Sequence, residues 1–172
     1  MIYVDIVSDT ICPWCYIGKR RFERALEQSG RTDVAVAWRP FQLNPEMPAE
    51  GVERTSYRIA KFGSLERSRQ MDQRITETAA TVGLEFHLDR IVRTPNTVNA
   101  HRLIRFAGQR GVQDAVVEEL AAEHVAVGVV ELADALLLAV DEGAHEALAA
   151  RVGQRAHAVQ RVRNPRALEP AA

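Results

Sequence analysis

Cys12 and Cys15 are the only cysteines in a chain of 172 residues, and they stand in the order Cys12-Pro13-Trp14-Cys15. They lie between an alternating apolar run, Ile2 to Val7, and an amphipathic segment, Pro13 to Ser29. This order predicts strand, tight turn and helix, with Cys12 at the helix N-terminus. The first N–H groups of a helix have no intrahelical partners and the helix dipole is positive there, so a thiol at that end ionises readily. C-x-x-C thiols at helix starts titrate at roughly 3.5–7.5 rather than near 8.5. Pro13 suits the first helical position, where its missing N–H costs no hydrogen bond and its φ is already helical. Cys15 falls on the same face one turn deeper, near enough for the roughly 4.4–6.8 Å Cα spacing of a disulfide. A reactive thiol with a second thiol behind it suits thiol–disulfide exchange, where a mixed disulfide is cleaved from within the same protein.

Other chemistries fit the pair less well. A structural zinc site needs four ligands, and His87, His101, His124, His145 and His157 are scattered, so no metal is expected. A structural disulfide across one helical turn closes too short a loop to stabilise much. The 22 basic and 23 acidic residues leave a net charge of −1, which offers no strong field for nucleic acid or an anionic membrane. Met1-Ile2-Tyr3-Val4-Asp5 lacks the basic and apolar regions of a signal peptide. The apolar stretch Leu132 to Val140 is shorter than the ~20 residues of a membrane span. The expectation is therefore a cytoplasmic protein, and in a reducing cytosol two cysteines so spaced are reactive rather than a staple.

The elements that must hold the pair follow from the pattern. Val34 to Trp38 predicts a second strand, so strand, helix and strand make a right-handed βαβ unit. Ligands in such sheets bind beyond the carboxyl ends of the strands, where Cys12 stands. Apolar residues on both sides of the first strand predict a central position in the sheet. Lys19, Arg20 and Arg21 are assigned to the solvated side of the first helix. Helices are predicted over Arg54 to Phe62, Leu65 to Val82, Thr94 to Gly111 and Val112 to about Val127, with a further one after Asp134. Met71 is assigned to a core, and Asn96 to the cap of the Thr94 helix. The expected organisation is a βαβ half over 1–50, a helical insertion over 51–143 and a divergent tail over 144–172.

Ser8 to Lys19, Trp38 to Pro45 and Thr94 to Leu103 together resemble the DsbA-like thioredoxin-fold oxidoreductases, most closely the FrnE-type branch, over roughly residues 1–125. The resemblance implies an α/β, thioredoxin-like fold with a large inserted helical subdomain. It also implies Cys12 as nucleophile, Cys15 as resolving cysteine, and Pro13 and Trp14 in support. Asn96 and His101 become candidate contacts to substrate or thiol. Partners would be protein or small-molecule thiols and disulfides, with no cofactor beyond the redox-active disulfide and glutathione as a candidate thiol. Family members continue into a cis-proline segment, two more strands and a last helix. Here no proline occurs between Pro95 and Pro165, so the C-terminal strand pair is expected to be missing, leaving a truncated relative with impaired activity, or a homodimer that covers the sheet edge. Two alternatives share the scaffold. One is a glutathione-dependent isomerase or transferase related to the 2-hydroxychromene-2-carboxylate isomerases, which typically have Ser at the position of Cys12. The other is a degenerate, non-catalytic binding module.

Overall fold

The structure, a computed structural model, describes residues 1–127. The expected helix after Asp134, the tail and the question of the C-terminal strand pair lie outside the described residues.

Strand β1 (Ile2–Ser8) leads through a turn into helix α1 (Pro13–Ser29), and β2 (Val34–Pro40) returns parallel to β1, from Ile2 opposite Val34 to Ser8 opposite Pro40. The βαβ order is as predicted. Among the described residues this sheet has two strands, and Tyr3 and Val7 on β1 are exposed instead of covered as in a central strand. The free side of β2 is capped at Trp38 by an amide. Its N–H donates to Gln113 Oε1 at 2.9 Å, and Gln113 Nε2 donates back to its carbonyl at 3.2 Å. A side chain there does what a neighbouring strand would do for exposed backbone groups.

A two-residue strand β3 (Val52–Glu53) opens helix α2 (Arg54–Phe62), followed by α3 (Leu65–Ala80), a single 3₁₀ turn (Leu88–Arg90), a short β4 (Arg93–Thr94), α4 (Val98–Gly108) and α5 (Gln113–Val127). The Glu53 carboxylate caps α2, accepting the Thr55 and Ser56 N–H groups at 2.7 Å each. Gly63, with φ +87°, closes α2 as glycine can and other residues rarely do. Helix α4 starts at Val98, four residues later than the pattern suggests, because Thr94 precedes Pro95 and is held extended in β4 against β3. Gly51 packs so closely beneath that strand that a Cβ would meet the Thr94 carbonyl at 2.5 Å.

Two apolar clusters meet on α5. Trp38, Ala100, Leu103, Ile104 and Ala107 pack around Val116, Val117 and Leu120, while Tyr16, Ile17, Ile75, Phe86, Leu88 and Ile91 pack with Ala121 and Val125. Because α5 is covered nearly all round, its Glu118 is buried too, and a buried carboxylate must be paired. Its partners overturn the assignment of Lys19 and Arg20 to the solvent side of α1, since both are buried. Arg20 is bonded to Glu118 and Glu23, and Lys19 to Glu23, with Lys19 also 3.0 Å from Asp114 and 3.4 Å from Glu118. The Tyr16 hydroxyl donates to Glu118 at 2.7 Å and accepts from Arg20 at 3.0 Å. The helix pattern around Lys19 and Arg20 reads as polar, and Glu23 on the same helix pairs with both, but the carboxylates that draw them into the interior, Asp114 and Glu118, are about a hundred positions away in the chain. Arg21, in contrast, is exposed.

Removing one member of so enclosed a set leaves opposite charge buried. Glu118→Ala should therefore cost about 3 kcal/mol, read from the shift of the urea unfolding midpoint at constant slope. A loss below about 1 kcal/mol would mean that the cluster does not hold α1 to α5.

Candidate active site

The strand-to-helix turn is built from backbone bonds. The Asp9 carbonyl accepts the Cys12 N–H at 3.1 Å, and the Cys12 carbonyl accepts the Cys15 N–H at 3.0 Å. Cys12 is the N-cap of α1, with extended backbone at φ −93° and ψ 104°, and Pro13 follows in the first turn. The residue has no side-chain oxygen with which to cap the helix, so the first-turn donors are left for its sulfur.

Both cysteines are free thiols and both are partly buried, so Cys15 is not markedly more shielded than Cys12. Their ionisation is divided unequally. A hydrogen bond from the Cys15 thiol brings Cys12 down to about 7; burial works against this, and the Cys15 and Trp14 N–H groups assist. The same hydrogen bond, together with burial, pushes Cys15 well above the ordinary thiol range. The thiolate therefore forms on Cys12 well before Cys15.

Asp9 lies directly beneath this turn and is only 3 % exposed. Its Oδ2 accepts the Leu43 N–H at 2.7 Å, and its Oδ1 is 3.3 Å from His101 Nε2. Burial raises the Asp9 carboxyl, but His101, the Leu43 N–H and Thr97 outweigh it and hold the group below its usual value. His101, one of the residues singled out from the sequence, therefore faces Asp9 and is not among the residues lining the cavity at Cys12. Asn96 is also turned to the scaffold. Its Nδ2 donates to the Met47 carbonyl at 2.7 Å, and its Oδ1 accepts the Val98 N–H at 2.9 Å, which serves the start of α4 with Thr97 as the N-cap. Among the described residues, no three of His, Cys, Asp and Glu converge as metal ligands.

A cavity of about 280 Å³ opens beside Cys12. Ile11, Cys12, Pro13 and Trp14 form one wall, with Trp14 45 % exposed. The facing wall is α2, through Arg54, Tyr57, Arg58, Lys61 and Phe62, backed by Met71, Asp72 and Ile75 of α3. His124 of α5 lies against its floor. Sequence reasoning passed over these α2 residues and His124. The signal was a stripe at Arg54, Arg58 and Lys61, one face of a helix by spacing, but nothing local tells whether such a face meets water or a cleft.

The sequence profile of the DSBA-like thioredoxin domain matches residues 3–166. The chain belongs to this family. A solved structure described as a probable DsbA oxidoreductase from Streptomyces coelicolor is 32% identical, with a TM-score of 0.68 over 75% of this chain and 56% of that one. An uncharacterized protein of Bacillus subtilis, YwbO, is 41% identical over 44 residues, which is 26% of this chain and 20% of YwbO. The chain thus spans about half of the first relative and a fifth of the second. Membership of the DSBA-like family makes the fold thioredoxin-like. No helix among the described residues is long and apolar enough to cross a membrane.

The division of the two thiols gives a pH dependence. Alkylation of Cys12 by iodoacetamide should rise with pH and level off through an inflection near 7, because only the thiolate reacts. Cys15→Ala removes the donor and should move the inflection upward toward 8.5. An inflection unchanged in that variant would exclude Cys15 as the stabilising partner.

Proposed function

We propose that the protein is a thiol–disulfide oxidoreductase in which Cys12 is the nucleophile and Cys15 the resolving cysteine. The observation that carries this is the placing of two free thiols at the start of α1, Cys12 as its N-cap and Cys15 three positions on, with Cys12 brought down to about 7 and Cys15 pushed up. The Cys12 thiolate attacks one sulfur of a substrate disulfide. A bond forms between them, the substrate S–S bond breaks, and the leaving thiolate takes a proton from water. Once Cys12 is in a mixed disulfide its charge is gone, so the force that raised Cys15 is relieved and Cys15 can lose its proton. It then attacks the Cys12 sulfur, closes the internal disulfide and releases the second thiol. Two electrons pass from the Cys pair to the substrate, and a dithiol in solution restores the reduced protein. Run backward, the same steps oxidise a substrate dithiol.

Membership of the DSBA-like family and the likeness to a DsbA oxidoreductase support this reading, as does the resemblance of Trp38 to Pro45 to the FrnE-type branch. Trp14 and Pro13 belong to the same proposal: Pro13 fixes the first turn of α1, and the exposed Trp14 offers an apolar surface next to the reacting sulfur.

Dithiothreitol-driven reduction of insulin tests it. Cys12→Ser should abolish the catalysed rate, and reduced Cys15→Ser mixed with insulin after dithiothreitol is removed should accumulate a mixed disulfide on Cys12, seen as added mass that fresh reductant removes. Undiminished catalysis by Cys12→Ser would overturn the mechanism.

A further inference from the structure

If Cys12 exchanges with disulfides, the wall facing it decides which disulfides fit, and that wall is charged. Arg54, Arg58 and Lys61 line the cavity against a single carboxylate, Asp72. Asp72 is fully used: Oδ2 accepts from Arg54 at 2.8 Å and Oδ1 from Arg58 at 2.6 Å. Two guanidinium groups thus share one negative charge. Lys61 is held by neutral oxygens, donating to the Tyr57 hydroxyl at 2.8 Å and lying 3.5 Å from Asn44 Oδ1. Three cations against one carboxylate leave the described lining with an excess of two positive charges.

A second observation comes from the floor. His124 is only 7 % exposed, it lines this cavity, and its Nδ1 has no hydrogen-bond partner. A buried polar atom without a partner is costly, so His124 sits at the cavity at some expense to the fold, and its ring lines the space a ligand would enter. Burial, assisted by the nearby Arg54, keeps the ring neutral, with a pKa pushed down to about 4, so it adds no charge to the lining. The volume, about 280 Å³, is at the lower end of the roughly 300–1,000 Å³ of small-molecule sites. It admits a short arm of a few carbons.

We infer that the cavity binds the carboxylate-bearing arm of a small disulfide and presents its sulfur to Cys12. This rests on the exchange reading above and adds a substrate class to it. The covalent steps are those already written: Cys12 forms a bond to the substrate sulfur, one carboxylate-bearing thiol leaves and is protonated by water, and Cys15 displaces the second. The disulfide gains two electrons, the Cys pair loses them, and dithiothreitol in the assay returns them. The positive wall attracts the arm before reaction and falls off with salt as surface electrostatics do.

Three disulfides whose arms share a two-methylene spacer separate this idea from its foundation. They are 3,3′-dithiodipropionate, bis(2-hydroxyethyl) disulfide and cystamine, whose arms end in a carboxylate, a hydroxyl and an ammonium group. Each kcat/KM is divided by the rate at which dithiothreitol alone reduces the same compound, which removes differences in leaving-thiol acidity. The expected order is carboxylate, then hydroxyl, then ammonium, with the spread shrinking in 1 M salt. Lys61 is exposed, so Lys61→Glu can be made without disturbing the core. It should lower the carboxylate-to-hydroxyl ratio on the order of tenfold, a ratio that a loss of folded protein would not move. A flat or reversed order, or insulin reduced far better than all three, overturns this inference while leaving the exchange reading intact. No catalysed reduction of any of them, insulin included, defeats the exchange reading itself.

Discussion

A carboxylate has been buried at the foot of the turn that carries the reactive thiol, and much of the described structure is arranged to make that tolerable. Asp9 cannot lose its water without replacement partners, and it finds them on separate parts of the chain: the Leu43 N–H in the segment after β2, and His101 on α4 with Thr97 just before it. These contacts fix the end of β1, the entrance of α1 and the start of α4 relative to one another. They also set the height at which Cys12 meets the cavity, because Leu43 is itself part of the cavity lining. His101 thus acts on the thiol at one remove, through Asp9. The negative charge has a cost for the chemistry, since Asp9 opposes ionisation of Cys12. The hydrogen bond from Cys15 and two helix N–H groups outweigh it.

The other anchor is the pairing of α1 with α5. Helix α1 carries Cys12 at its start and Lys19 and Arg20 two turns on, and those two cations lock onto Glu118 within the most enclosed helix described. Buried ion groups of this kind are weak as a source of stability but strict about geometry, because sliding one helix leaves charge unpaired. The tilt of α1, and with it the aim of its positive end, follows from that constraint. Helix α5 serves both sides of the protein, filling the two apolar clusters and placing His124 under the cavity.

What could be read from the sequence was what is decided locally. The strand, turn and helix around Cys12-Pro13-Trp14-Cys15 follow from alternation, a proline at the first helical position and Gly30 at the end, and so does the span Arg54 to Phe62 closed by Gly63. Met71 is legible as interior by its spacing, and it packs partly buried against the Tyr16 to Val125 cluster. The misreadings share one cause, a partner far along the chain. Lys19 and Arg20 look solvated until Glu118 is brought to them, and Asn96, assigned to the helix cap, also donates its amide to Met47, which no local pattern announces. Asp9 stands in plain view within the motif, yet its burial depends on Leu43 and His101. The stripe of Arg54, Arg58 and Lys61 was visible as a helix face, but periodicity alone cannot say that this face looks across a cavity at Cys12.

The cavity therefore joins two separate parts of the chain: the turn that carries Cys12, and a charged helix face about forty residues downstream. Reversible two-electron exchange by the sulfur pair is read by equilibrating the protein in graded mixtures of reduced and oxidised dithiothreitol, then counting alkylated cysteines by mass. One cooperative two-electron transition is expected, from two alkylated thiols to none in a monomer carrying a Cys12–Cys15 disulfide. Thiols that stay reduced throughout, or that oxidise only by linking two chains, would contradict it.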